Sequence, residues 1–348
     1  MTGARRIAGR SAAATVAALG GASLLRRRRR RRHDYRVFVL EYHDVGSSGS
    51  EREGVVSAAR LARHLRFLQH HFRLTSLSDA VEALAGPKGP GEDLVVITFD
   101  DGYAGNYRYA WPVLRAAGVP ATVFVASGFL DGGELWFDLA ERCLEAARRD
   151  APPGDPIEHE DVARAVRPWL AGKRDAVWTW LKGLSPEHRD AVVERLRVAY
   201  RPTAERTTPL SWAEARELAA SGIEIGAHTH SHPILSTLPP ARQEQEIIRG
   251  RDRITAELGT APRHFAYPNG SAMDFTDDTV RIVRDAGFRS ACTTVRGSNA
   301  GGCDLLRLAR IGVGNEPTLV LAARLAGLLD DRFRQRLGLV TANAHLAH

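Results

Sequence analysis

The chain has 348 residues, 44% of them hydrophobic and 26% charged, with 32 Gly and 17 Pro, which excludes collagen-like, coiled-coil and wholly disordered classes. Its 48 basic residues exceed 41 acidic ones, a net charge of +7, yet the first 33 residues hold ten arginines and no acid. Without them 38 basic face 41 acidic residues, a body of net charge −3, so the basicity belongs to one short tail.

Within that tail, Ser11 to Leu25 is uncharged and flanked by arginine on both sides. It is shorter than the about 20 apolar residues that span a bilayer. An apolar stretch behind a charged start reads as an export signal or signal-anchor, and the run Arg26 to Arg32 suits an inward-facing polybasic flank. This places the protein in the cell envelope or outside the cell, with the cytoplasm as the remaining compartment, and allows membrane association through residues 1–35. A disordered basic arm is the plain alternative. Nucleic-acid binding is not expected, because arginines without interleaved aromatics give charge but no base readout.

From Val37 onwards, short β-rich runs alternate with helical patterns. Val37 to Glu41 is a first buried strand, and Ser57 to Phe72 an amphipathic helix through Leu61, Leu65, Leu68 and Phe72. A Pro/Gly-rich loop precedes the strand Leu94 to Phe99, which ends on two aspartates. A helix over Tyr107 to Ala117 closes at Gly118, and Pro120 to Ala126 is the next strand. Ser211 and Glu214 have capping-box spacing and open a helix that ends near Gly222. A strand over Ile223 to Ala227 runs into polar residues. There follow helix Arg242 to Leu258, strand His264 to Tyr267, helix Asp277 to Ala286, strands Phe288 to Thr293 and Leu306 to Val313, and a helix around Leu319 to Leu329. The alternation predicts a parallel α/β fold, open or closed into a barrel, with its site at the C-terminal ends of the strands. Residues 130–209 break the rhythm as a charged helical insertion whose Trp136, Trp169, Trp178 and Trp180 are expected to be buried. The division expected is a tail at 1–35, a catalytic domain at 36–335 including that insertion, and a C-terminal tail at 336–348. Cys143, Cys292 and Cys303 form no disulfide framework, although Cys292 and Cys303 could pair in an oxidising compartment.

Three strand ends carry the chemistry: Thr98-Phe99-Asp100-Asp101-Gly102, His228-Thr229-His230-Ser231-His232, and Phe265-Ala266-Tyr267-Pro268-Asn269-Gly270. Two histidines four apart and one carboxylate leave open positions around a cation, as catalytic zinc needs. Adjacent aspartates diverge at a strand end, so one can ligate while the other remains a base.

These motifs resemble the polysaccharide deacetylase family, the NodB-homology group called carbohydrate esterase family 4. Leu40-Glu41-Tyr42-His43, Asp101-Gly102-Tyr103 followed by Asn106-Tyr107, and Gly118 to Phe124 (GVPATVF) are similar to it too, over roughly Arg36 to Pro317. The resemblance implies a distorted (β/α) barrel with a helical insertion, and a divalent metal, usually zinc, on Asp101, His228 and His232. It implies Asp100 as general base, and an oxyanion held by the metal and a backbone N–H of Asn269 or Tyr103. Tyr103, Tyr267 and Pro268 are expected at the substrate. The activity implied is removal of N-acetyl groups from an N-acetylhexosamine polysaccharide.

Departures from the family pattern keep alternatives open. Ala266-Tyr267-Pro268-Asn269-Gly270 stands where the third motif commonly brings an arginine that orients the base, and Arg263 is nearby in sequence. No aspartate-tryptophan pair is visible around Thr293 to Asn299. Leu306 to Arg310 lacks the general-acid histidine, so His43 becomes the candidate acid, or a partner that positions Asp100 or Asp101, with His230, His264 and Asp100 itself as further candidates for the acid role. His64, His70, His71, His345 and His348 read as surface or capping residues. A metal-containing barrel that binds carbohydrate without turnover, a peptidoglycan deacetylase and a sugar deformylase are the competing functions.

Overall fold

The computed structural model describes residues 35–47, 54–87, 89–150, 159–203 and 207–327. Nearly all of the arginine-rich tail, the whole 336–348 tail with His345 and His348, and the end of the helix expected at 319–329 lie outside them. Among the described residues no helix is long and apolar enough to cross a membrane.

The strands are β1 (Val37–Tyr42), β2 (Asp44–Gly46), β3 (Val55–Ser57), β4 (Arg73–Leu74), β5 (Leu94–Phe99), β6 (Thr122–Val125), β7 (Glu224–Ala227), β8 (His264–Ala266), β9 (Ser290–Arg296) and β10 (Leu308–Gly312). Parallel pairing runs β1-β10-β9-β8-β7-β6-β5, and β5 pairs back onto β1 from Val37↔Leu94 to Tyr42↔Phe99. The (β/α) barrel is therefore closed, with seven strands. β4 adds beside the first residues of β5, and β2 with β3 forms a separate parallel pair. All seven strand C-termini open at one mouth because the pairing is parallel throughout.

Strand alternation decides what fills the barrel. Val37 and Val39 of β1, Leu94 and Val96 of β5, Phe124, Ala266, Cys292 and Leu308 form one inner cluster. Phe38, Leu40, Tyr42, Val95, Ile97 and Phe99 face the outer helices. Continuing the inner rows by two residues reaches Glu41, Thr98 then Asp100, and Arg310, all buried. The inner row thus changes from apolar to charged at the mouth.

Helix Leu77–Ala85, which like β2, β3 and β4 is not among the elements expected from sequence, joins the inner cluster through Leu77, Ala80, Val81 and Leu84. It packs at the end opposite the mouth. The helix foreseen at 107–117 begins as a π-turn segment, Asn106–Ala110, and continues as Trp111–Ala117 to Gly118 at φ 62°. The capping box at Ser211 and Glu214 is formed in both directions.

Helices Trp136–Asp150, Glu160–Leu170, Arg174–Lys182 and Pro186–Tyr200 build their own core. Trp136 and Trp169 are buried in it, whereas Trp178 and Trp180 are only partly covered. Ile234 of the loop after β7 joins this core, and Phe137 touches both. Two expectations are corrected. The cysteines are free: Cys292 points into the barrel interior, and Cys303 packs against that cluster without bonding to it. His64 is a core residue, fully buried between the Tyr42 hydroxyl at 3.2 Å and the Glu316 carbonyl at 3.0 Å.

Candidate metal centre and active site

Asp100 and Asp101 leave β5 at the mouth, and the turn there separates them. Asp101 sits at φ 75° and Gly102 at φ 85°, so the two carboxylates face different partners. Asp101, Thr229, His232 and Asn269 are four of the five non-glycine residues with positive φ among those described. Strain of this kind costs of order 1–3 kcal/mol per residue and collects where geometry serves function.

Asp101 Oδ1 lies 3.4 Å from His228 Nε2 and 3.3 Å from His232 Nε2, and the two Nε2 atoms are 3.1 Å apart. His228 Nδ1 contacts the Ala266 carbonyl at 2.7 Å. That carbonyl can only accept, so Nδ1 carries the proton and leaves the Nε2 lone pair turned inward. Two imidazole nitrogens and a carboxylate oxygen converge on one buried point, the arrangement a small divalent cation fits. Burial would raise the Asp101 carboxyl, but the two histidines beside it hold it well below the usual range. Burial alone would neutralise His228, yet Asp101 and Asp100 outweigh it and raise its pKa, whereas burial prevails at His232 and lowers it.

The histidine loop is fixed from outside. Thr229 Oγ1 accepts from the His232 amide at 3.1 Å, and Glu246 accepts from the amides of His230 and Ser231 at 3.2 and 2.8 Å. Glu246 belongs to helix Pro240–Leu258, where Gly250 lets the helix approach: a Cβ there would meet the Thr229 carbonyl at 2.7 Å.

Asp100 turns to Arg310. Its two oxygens accept from Nη1 and Nη2 at 2.7 Å each, and Arg310 Nε donates to the Thr293 carbonyl at 2.8 Å. Desolvation pushes the Asp100 carboxyl up, but Arg310 prevails and holds it below its ordinary value. Glu41 shares the same guanidinium at 3.4 Å from Nε, and there burial wins, raising its pKa. Neither Glu41 nor Arg310 was singled out from the sequence. The available signal was a charge within an otherwise apolar strand, twice over, in VFVLEY and LARIG. Arg263, the substitute considered for the missing arginine, is exposed before β8 at the opposite end of the barrel.

His43 follows β1 at the mouth with its side chain 45% exposed and Nε2 3.7 Å from Glu41 Oε1. Glu41, His43 and Asp100 each offer an atom within 4.8 Å of the others. Asn269 is half-buried at φ 64°, its side chain held by Asp274 at 2.9 Å and its carbonyl by Thr294 at 2.8 Å. The tyrosines expected at the substrate keep their rings in the core: Tyr103 donates to Asp138 at 3.1 Å, and Tyr267 donates to the Leu306 carbonyl at 2.9 Å and stacks on Phe275. Pro268 is buried as well. Two candidate acids point elsewhere. His230 turns to Ser127 Oγ at 2.8 Å, and His264 lies at the first residue of β8, bonded to Ser78 and Ser290.

Comparisons with known proteins give a family and a fold. A family model described as Polysaccharide deacetylase matches residues 88–167 and 172–291. The chain is 22% identical over 276 residues, 79% of its own length and 70% of the relative's, to YxkH of Bacillus subtilis strain 168, whose name assigns it to the polysaccharide deacetylases. Among solved structures it is similar in fold to the Streptococcus pyogenes deacetylase PplD in complex with acetate, at TM-score 0.55 and 18% identity, covering 81% of this chain and 93% of that one. It is similar also to IcaB from Ammonifex degensii, at TM-score 0.56 and 24% identity, covering 84% and 97%.

Proposed function

The chain belongs to the polysaccharide deacetylase family and is a hydrolase of amide bonds, and on that premise we propose that it removes N-acetyl groups from an N-acetylhexosamine polysaccharide with the help of one divalent metal. The carrying observation is the pair of opposed constellations at one mouth: Asp101 with His228 and His232, and Asp100 locked by Arg310.

Asp101, His228 and His232 would hold the metal, for which zinc suits two imidazoles and a carboxylate; when bound it supplies a Lewis acid for water and the amide carbonyl. Asp100 takes the proton of the attacking water. The two Arg310 hydrogen bonds fix the plane of that carboxylate and keep it ionised. The Asn269 backbone N–H is the donor for the developing oxyanion. His43, beside Glu41, gives the proton that the leaving amine needs, and acetate with a free amine results. Arg310 supplies from β10 the arginine that the third motif lacks, which supports turnover over a carbohydrate-binding barrel without it. Residues 36–335 form the catalytic domain in this reading, with the helical insertion at 130–209. The arginine-rich tail supports an envelope or extracellular location.

The test is acetate release from N-acetylchitooligosaccharides by the full chain and by Asp100→Asn. The variant is expected to lose about 10²–10⁴-fold in kcat, and undiminished release would refute the assignment of Asp100.

A further inference from the structure

The helical segment carries buried donors that the proposed reaction does not use. Arg189 is 3% exposed, lies 4.3 Å over the Trp136 ring, and spends Nε and Nη2 on Asp190 at 3.3 and 3.2 Å. Its Nη1 has no hydrogen-bond partner among the described residues, and neither have the buried indole N–H groups of Trp136 and Trp169. These three donors belong to one aromatic cluster, since Trp178 stands edge-on to Trp136 at 6.2 Å and to Trp169 at 5.9 Å. The cluster reaches the metal centre through Phe137, which contacts Trp136 at 5.6 Å and His232 at 5.1 Å. Trp178 is only partly buried and borders the cluster on the solvent side.

Buried polar groups in folded proteins find partners almost without exception, so three unpaired donors in one cluster point to a ligand. A sugar hydroxyl would bring a donor of its own that needs an acceptor; a carboxylate or phosphate brings acceptors only, and pairs with a guanidinium in the stronger, charge-assisted way.

We propose that Arg189, with the indoles of Trp136 and Trp169, forms a subsite for an anionic group on the glycan, beside the His232 side of the metal centre. The substrate would then be an acidic N-acetylhexosamine polymer. This rests on the deacetylase reading and extends it to a substrate class, with Arg189 determining specificity.

The experiment compares acetate release by the full chain from neutral tetra-N-acetylchitotetraose and from a hyaluronan tetrasaccharide, which alternates N-acetylglucosamine with a carboxylate-bearing sugar. Tryptophan fluorescence titrations with that tetrasaccharide and with inorganic phosphate run in parallel, for wild type, Arg189→Gln and Arg189→Lys. Wild type should prefer the acidic substrate. Arg189→Gln should lower the acidic-to-neutral ratio of kcat/KM about tenfold, chiefly through KM, and abolish the saturable fluorescence response, with Arg189→Lys recovering part of both. An unchanged ratio in a variant with native melting overturns the proposal. Should Arg189→Gln not fold, an unchanged ratio in Arg189→Lys together with no wild-type preference does the same. A phosphate response without any preference between the glycans overturns the assignment to substrate. Where wild type releases acetate from neither glycan, the deacetylase reading fails, and the titrations alone judge the anion subsite.

Discussion

Arg310 holds two carboxylates at once, and its neighbours define what its loss would do. The guanidinium is fully buried, its pKa raised above the ordinary value because the pull of Asp100 and Glu41 outweighs desolvation. Replacing it by methionine of similar length leaves Asp100 buried and unpaired, which should cost roughly 3–5 kcal/mol in denaturant unfolding. Arg310→Lys keeps a charge but only one of the two directed bonds, so acetate release should fall while most of the fold survives. An Arg310→Met protein as stable as wild type would contradict the pairing. A second residue-scale prediction concerns His264 at the far end of the barrel. Burial lowers its pKa to about 4, so the folded state keeps it neutral where the unfolded chain, with an ordinary value near 6.5, takes up a proton. Unfolding therefore binds protons between those limits, and stability should fall as pH drops from about 6.5 to about 4, by on the order of 3 kcal/mol. Thermal melts of wild type and His264→Gln should diverge across that window, and parallel curves would count against the assignment.

At the scale of elements, the histidine loop is only as well placed as the helix behind it. Helix Pro240–Leu258 meets the loop without a side chain at Gly250 and grips its amides with Glu246. Gly250→Ala should cost roughly 1–3 kcal/mol by overpacking and should lower acetate release further than the melting shift accounts for, since Thr229 and His232 move with the loop. Equal activity per folded molecule would show that the loop tolerates the push. Most elements were readable from periodicity and caps, because the strands β1, β5 and β10 are apolar runs and the helices carry regular apolar stripes. Helix Leu77–Ala85 was readable too: Leu77, Ala80, Val81 and Leu84 stand at helical spacing behind Ser76, which caps it by accepting from the Asp79 amide. Two- and three-residue strands such as β2, β3 and β4 carry no period to detect, and only tertiary pairing defines them.

For the whole molecule, the metal set was legible because its motifs sit at strand ends, two of the ligands four residues apart. The partner of Asp100 was not, because Arg310 is 210 residues away and meets it only when β1 pairs with both β5 and β10. Closure of the barrel, which no local pattern encodes, turns the inner rows of three strands into one charged layer. That layer holds Glu41 and Asp100 against a single guanidinium, while Asp101 beside it faces His228 and His232, and a divalent cation would offset the excess of buried negative charge when all three carboxylates are ionised. The central claim is that acetate release requires that cation. The direct measurement is acetate released from an N-acetylated chitooligosaccharide by the full chain with its metal content determined, then after chelation, then after zinc is restored. About one metal per chain, loss of release on chelation and its return with zinc are predicted, with Asp101→Asn defective in both metal content and release. Full release by metal-free protein would contradict the account.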